Sequence, residues 1–209
     1  MLYRWWSKIS FLIVAGIIMI LLVNSSWFLK IFYPFPHREL ILEHSGEYNA
    51  DPYLVLAVIR TESRFYSRAR SRVGARGLMQ IMPETGQWVA DQMKMANYRD
   101  DLLFIPRYNI SMGIWYLAYL DKTFAGDLPK MLASYNAGEK KVKRWLAEGT
   151  WTGREKDIHQ IPYPETREYV EKVLFDYQVY KRIYKEEISL KSKTPAKMLG
   201  RSCAFALEE

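Results

Sequence analysis

Residues 51–62 constrain this chain more tightly than any other stretch. Asp51-Pro52 reads as a helix start, with Asp as N-cap and Pro at the first helical position, and the residues from Pro52 to Ile59 are almost wholly apolar. On such a helix Val55, Val58, Ile59 and Glu62 share one face by i, i+3, i+4, i+7 spacing, so a carboxylate extends an apolar stripe. Burial in a low dielectric disfavours the charged form of Glu62, and the negative end of the helix dipole disfavours it again. A carboxyl group held protonated near neutral pH can donate a proton to a leaving oxygen. The competing reading is structural: a Glu in the last turn before Ser63-Arg64 can face solvent or pair with Arg60, Arg64 or Arg68.

The rest of the chain reads as helices separated by turns. Arg38 to Tyr48 has amphipathic helical character. Ser63 to Ile81 lacks sustained periodicity and contains Gly74 and Gly77, which predicts a cleft-lining loop with at most an irregular strand pair, ended where Met82-Pro83 opens another helix. Asn109 to Leu120 is apolar and helical, Gly126-Asp127 interrupts it, and Leu128 to Tyr135 restarts it before Asn136-Ala137-Gly138. Glu139 to Ala147 follows, with Gly149 as a stop. The segment Thr150 to Pro164 is polar and rich in turn formers. A last long helix, about Glu165 to Ile188, carries Tyr169, Val173, Tyr177 and Tyr180 at helical spacing as core residues. The expected fold class is mainly α with at most a small β element.

Residues Ile9 to Val23 form an uncharged apolar run preceded by Arg4 and Lys8, the layout of an amino-terminal membrane anchor or a secretory signal. Aromatic residues then sit in Trp27 to Tyr33 where an interfacial belt would lie, and no small-x-small cleavage site stands out. The expectation is an uncleaved anchor over residues 1–30 with the remainder outside the cytoplasm; the alternative is signal cleavage near Ser26 or Trp27. Pro34-Phe35-Pro36 makes residues 31–39 a short link, residues 40–188 the folded domain, and residues 189–209 a basic, mobile tail. Cys203 is the only cysteine and cannot form an internal disulfide. On an exported chain a net charge of +7 points to an anionic envelope polymer and away from nucleic acid, unless Lys140, Lys141, Lys143 and Arg144 are simply a solvated helix face.

Several chemistries fail on spacing. His37, His44 and His159 form no HExxH pair, one cysteine builds no zinc site, and no phosphate-binding glycine loop is present. A serine hydrolase would need an oriented histidine and a nucleophile elbow. What remains is a lone acid in polar and aromatic company. It occurs within four ordered blocks: Glu62-Ser63, then Gly77-Leu78-Met79-Gln80-Ile81-Met82-Pro83, then Ser134-Tyr135-Asn136-Ala137-Gly138, then Ile161-Pro162-Tyr163-Pro164-Glu165-Thr166-Arg167-Glu168-Tyr169-Val170. With these blocks, over about Leu40 to Tyr184, the chain resembles lytic transglycosylases of the soluble lytic transglycosylase (SLT) type, glycoside hydrolase family 23.

The resemblance implies a lysozyme-like catalytic domain, peptidoglycan glycan strands as substrate, and no metal or cofactor. Glu62 matches the catalytic acid and base, and Ser63 its neighbour. Ser71, Gln80 and Met82 match positions lining the sugar cleft, Tyr135 and Asn136 a pair facing the acid, and Glu165 and Tyr169 a pair closing the site from the last helix. Leu78, Met79 and Ile81 read better as core, and Gly77 and Gly138 as backbone shape. Two departures stand out. Ser134 replaces a common Ala and brings a hydroxyl able to hydrogen-bond, and His159-Gln160 precedes Ile161-Pro162 where an acidic residue is frequent. Two other functions are compatible with the same residues: a muramidase that delivers water to the sugar, and a non-catalytic, membrane-tethered peptidoglycan-binding scaffold.

Overall fold

The computed structural model describes residues 11–17, 19 and 26–192. Its helices are α1 (Ser26–Phe32), α2 (Arg38–Tyr48), α3 (Pro52–Ser63), α4 (Pro83–Gln92), α5 (Pro106–Thr123), α6 (Leu128–Ala137), α7 (Glu139–Ala147) and α8 (Pro164–Ser192), with 3-10 turns at Asp100–Phe104 and Glu155–Gln160. Among the described residues the only β pairing is two isolated bridges, Arg70 with Arg76 and Arg76 with Ile81, inside the loop between α3 and α4. The mainly helical class expected from the sequence is therefore the one observed.

The helix starts follow local chemistry. The Asp51 carboxylate accepts from the Tyr53 N–H at 2.9 Å with Pro52 behind it. Asp127 likewise accepts from Lys130 N at 3.2 Å ahead of Leu128-Pro129. These bonds satisfy N–H groups that the helix itself leaves open. Gly138, at φ 94°, ends α6 and starts α7, a backbone conformation that side chains rarely adopt.

Helix α3 lies at the centre, with Leu54 to Ile59 all buried, and its main partner is α8. From α8 come Tyr169, Val170, Val173, Leu174, Tyr177, Tyr180, Ile183 and Tyr184, also buried. Helix α8 thus packs along α3 and α6, and α2 and α5 complete the core from the other side of α3.

The expected Ile9 to Val23 span lies only partly within the described residues. Phe11, Leu12, Ile13, Val14 and Ile17 are exposed there, and no helix among the described residues is long and apolar enough to cross a membrane. The expected tail of residues 189–209 begins inside α8, which runs on to Ser192, and beyond that residue it lies outside the described residues. Residues 31–39, read from the prolines as a link, are packed: Tyr33 is buried, Tyr184 donates to its carbonyl at 2.8 Å, and Tyr180 donates to the Pro34 carbonyl at 3.0 Å. Lys30 and Arg38 both pair with Glu187 of α8.

Candidate active site

Glu62 stands in the last turn of α3, partly exposed, with its carboxyl enclosed by protein on the remaining sides. Among the described residues it forms no ion pair. Arg60, a sequence-level candidate for its partner, turns instead to Asp176, with Nη1 donating to Oδ2 at 2.6 Å. Burial therefore dominates and pushes the Glu62 pKa up to about 8; Glu165 adds to the rise by like charge, while Tyr169 and Lys172 oppose it.

Two tyrosines flank this carboxyl. Tyr169, buried on α8, brings its hydroxyl to Glu62, although the geometry falls short of a full hydrogen bond. Tyr135, half-buried at the end of α6, donates its hydroxyl to the Met79 carbonyl at 2.8 Å. Desolvation, followed by the neighbouring Glu62 charge, raises both phenol pKa values well above the usual range, so both remain protonated donors. Glu165 is exposed in the first turn of α8, where the helix dipole favours a carboxylate.

The loop from Arg64 to Met82 forms the other side of the site. Ser63 Oγ reaches the Leu78 carbonyl at 2.8 Å, pinning the loop to the end of α3. Asn109 of α5 is fully buried; its Oδ1 accepts from Met79 N at 2.7 Å, and its Nδ2 donates to the Arg76 and Leu103 carbonyls at 2.9 and 2.8 Å. Gly77, at φ 76°, passes so close that an added Cβ would sit 2.0 Å from the Leu103 carbonyl oxygen. Met79 packs under the loop against Gly113.

The remaining sequence-predicted residues have defined places. Gln80, at φ 46°, donates from Nε2 to the Gly77 carbonyl at 2.8 Å and the Ala69 carbonyl at 3.2 Å, which leaves Oε1 without a donor among the described residues. Ser71 Oγ accepts from Ala75 N at 3.0 Å and shapes the turn. Met82 is the N-cap residue of α4 and is half-buried. Asn136 accepts from Thr166 Oγ1 at 2.7 Å, tying α6 to α8. Glu165, Tyr135 and Tyr169 each interact electrostatically with Glu62, and Tyr135 acts on Tyr169, whereas Ser71 and Gln80 are engaged inside the loop.

One expectation is corrected. The Ser134 hydroxyl gains no hydrogen bond among the described residues: the residue is fully buried on a helix whose other buried side chains there, Met131, Leu132 and Ala133, are apolar. His159 is exposed, in keeping with a surface-loop histidine. Sequence reasoning missed Asn109 and Asp176, whose only signal was a polar residue on an otherwise apolar helical face.

Comparison with known proteins places this arrangement. The model of the transglycosylase SLT domain matches residues 39–158. The chain is 34% identical over 154 residues to the soluble lytic murein transglycosylase of Salmonella typhimurium, an alignment covering 72% of this chain and 23% of that protein. It is 30% identical over 168 residues to membrane-bound lytic murein transglycosylase C of Edwardsiella ictaluri, covering 70% of this chain and 47% of the relative. The chain thus spans less than half the length of either relative. Among solved structures it resembles the lytic transglycosylase Slt of Pseudomonas aeruginosa, in an inactive form with one glutamate-to-glutamine exchange, at TM-score 0.68 and 32% identity over 76% of this chain and 26% of that one.

Proposed function

The chain belongs to the transglycosylase SLT family, and from that premise we propose that it is a peptidoglycan lytic transglycosylase. It cleaves the bond between N-acetylmuramic acid and N-acetylglucosamine without water and leaves a 1,6-anhydromuramyl end. The observation that carries this reading is Glu62, a single enclosed carboxyl group with its pKa raised to about 8 and no ion pair among the described residues. Glycosidases with two acids use the second as nucleophile or base. Glu165 stands near enough to act on Glu62 electrostatically, but it is exposed at the start of α8, and we assign it to the wall of the cleft.

In the first step protonated Glu62 gives its proton to the glycosidic oxygen as the C1–O bond breaks, and the 2-acetamido group of the muramyl sugar stabilises the cationic centre. In the second the muramyl 6-hydroxyl attacks C1, and Glu62, now a carboxylate, takes the hydroxyl proton. The acid is thereby regenerated and no water is consumed. The hydrogen-bonding capacity left over by the fold suits the acetamido group. Asn136 has its oxygen occupied by Thr166 and its amide N–H groups to donate, while Gln80 has its N–H groups occupied and its oxygen to accept. Tyr169 sets its hydroxyl beside the Glu62 carboxyl, and Ser71, Met82, Tyr135 and Glu165 complete the walls.

In this reading residues 1–30 hold the chain in a cell membrane with the domain of residues 40–188 outside the cytoplasm, joined through residues 31–39 and followed by the tail 189–209. The apolar run with its basic start supports the anchor. The test is digestion of purified peptidoglycan followed by mass spectrometry. Muramyl ends lighter by one water than hydrolytic products are expected. Reducing ends alone would assign a muramidase, and binding without turnover would assign a scaffold.

A further inference from the structure

A cavity of about 440 Å³ opens at the C-terminal end of α3. Ile31, Phe32 and Pro34 line it from the segment ahead of α2, Arg60, Arg64 and Phe65 from the end of α3, and Lys172 from α8. Its lining is amphiphilic. The Arg60 guanidinium is committed to Asp176 and lies over the Tyr33 ring at 4.1 Å. Arg64 and Lys172 are exposed and have no ion pair among the described residues. Of this lining Ile31 and Phe32 are 61% and 57% exposed, and Trp27, one helical turn before Ile31, is 74% exposed, an apolar patch on a helix otherwise fastened to the domain by the Lys30–Glu187 pair.

The occupant such a lining selects carries a negative charge and hydrocarbon together. Peptide carboxylates satisfy the cations but leave Ile31 and Phe32 in water, and a neutral sugar leaves the cations unanswered. The chain path adds a second constraint, because Ile31 follows the apolar run ending at Val23 by eight residues. Basic side chains at that distance from a membrane segment meet the negative surface of the bilayer, and exposed aromatic residues settle at its interface. We propose that this cavity binds the phosphate headgroup of an anionic phospholipid, with Arg64 and Lys172 on the phosphate and Trp27, Ile31 and Phe32 along the start of the acyl chains. Lys172 also acts on Glu62, so lipid and catalytic acid share one neighbour. The site goes beyond the glycan reaction and is tested without turnover, so the two stand or fall separately.

The experiment titrates the full chain, held in neutral maltoside micelles, with dihexanoylphosphatidylglycerol or dihexanoylphosphatidylcholine and follows binding by calorimetry. Saturable binding of the anionic lipid is expected, at least about fivefold tighter than the zwitterionic one. Arg64→Gln and Lys172→Gln should each weaken it about fivefold, while Lys140→Gln on α7 leaves it unchanged. Both side chains are exposed, so either variant tests the site with the fold intact. Equal binding of the two lipids, no saturable binding, equal weakening by all three variants, or tighter binding of a lactoyl tripeptide with free carboxylates would each overturn the proposal.

Discussion

Glu62 combines two properties that rarely coincide, an enclosed carboxyl and the absence of a cation in direct contact among the described residues. Its folded-state pKa of about 8 lies above the ordinary 4.5. Between those values the folded protein holds a proton that the unfolded chain has released, so the group's contribution to stability falls as pH rises through that window. Two outcomes follow for Glu62→Gln. Cleavage should drop by about a thousandfold or more, the scale of a lost general acid. Stability should match the wild type near pH 4 and exceed it increasingly toward pH 8, by an amount on the order of a kcal/mol or more, with a corresponding rise in melting temperature. Thermal melts at pH 4, 6 and 8 measure this, and a gap that does not change with pH would show that the carboxyl is not held neutral by its surroundings. Activity that depends on the protonated acid should decline as pH rises through about 8.

At the scale of elements, the loop from Arg64 to Met82 has no regular ladder of its own and is held by side chains from its neighbours. Asn109 satisfies one N–H and two carbonyls of this region from a fully buried position. Asn109→Ala leaves all three without partners and should cost about 3 kcal/mol or more, read by urea denaturation. Activity should fall even under conditions where the variant remains folded, because the loop carries Gln80 and supports Tyr135. An unchanged denaturation midpoint would remove Asn109 from this role. The same loop shows where sequence reading works and where it stops. Asp51-Pro52 and Met82-Pro83 announce helix starts because capping is decided within a few residues. The place of Glu62 on the face of α3 was readable from periodicity, and the candidate cleft residues were named by resemblance. Asn109 was not, because a lone Asn on an apolar face says nothing about which carbonyls a distant loop will deliver to it. Arg60 posed the same difficulty: local spacing offered it to Glu62, while α8 supplied Asp176 from 116 positions away. The free hydrogen-bonding atoms of Gln80 and Asn136 also became visible only when their partners were in place.

Across the whole molecule, Asp176 joins three parts of the chain. It is almost fully buried and accepts from Arg60 at 2.6 Å, Tyr33 at 3.2 Å and Thr61 at 3.4 Å. Asp176→Asn removes the charge that Arg60 answers and should destabilise the protein by about 3–5 kcal/mol, the range for breaking a buried pair from one side. Because Tyr33 belongs to the segment ahead of α2, limited proteolysis of that variant should cut near residues 30–38 before the domain unfolds. Protection equal to the wild type would mean that the ring contact of Tyr33 with Tyr180 and the hydrogen bond from Tyr184 to its carbonyl suffice.

Helix α8 also carries Glu165 and Tyr169 near one end and Glu187, which receives Lys30 and Arg38, toward the other. Those ends are separated by about 33 Å of continuous helix. A pull applied at residue 30 therefore enters the domain as shear along a stiff rod, at its far end from the catalytic wall. With residues 1–30 held in a membrane as proposed, tension would enter the domain at Glu187, about 27 Å of continuous helix away from Tyr169.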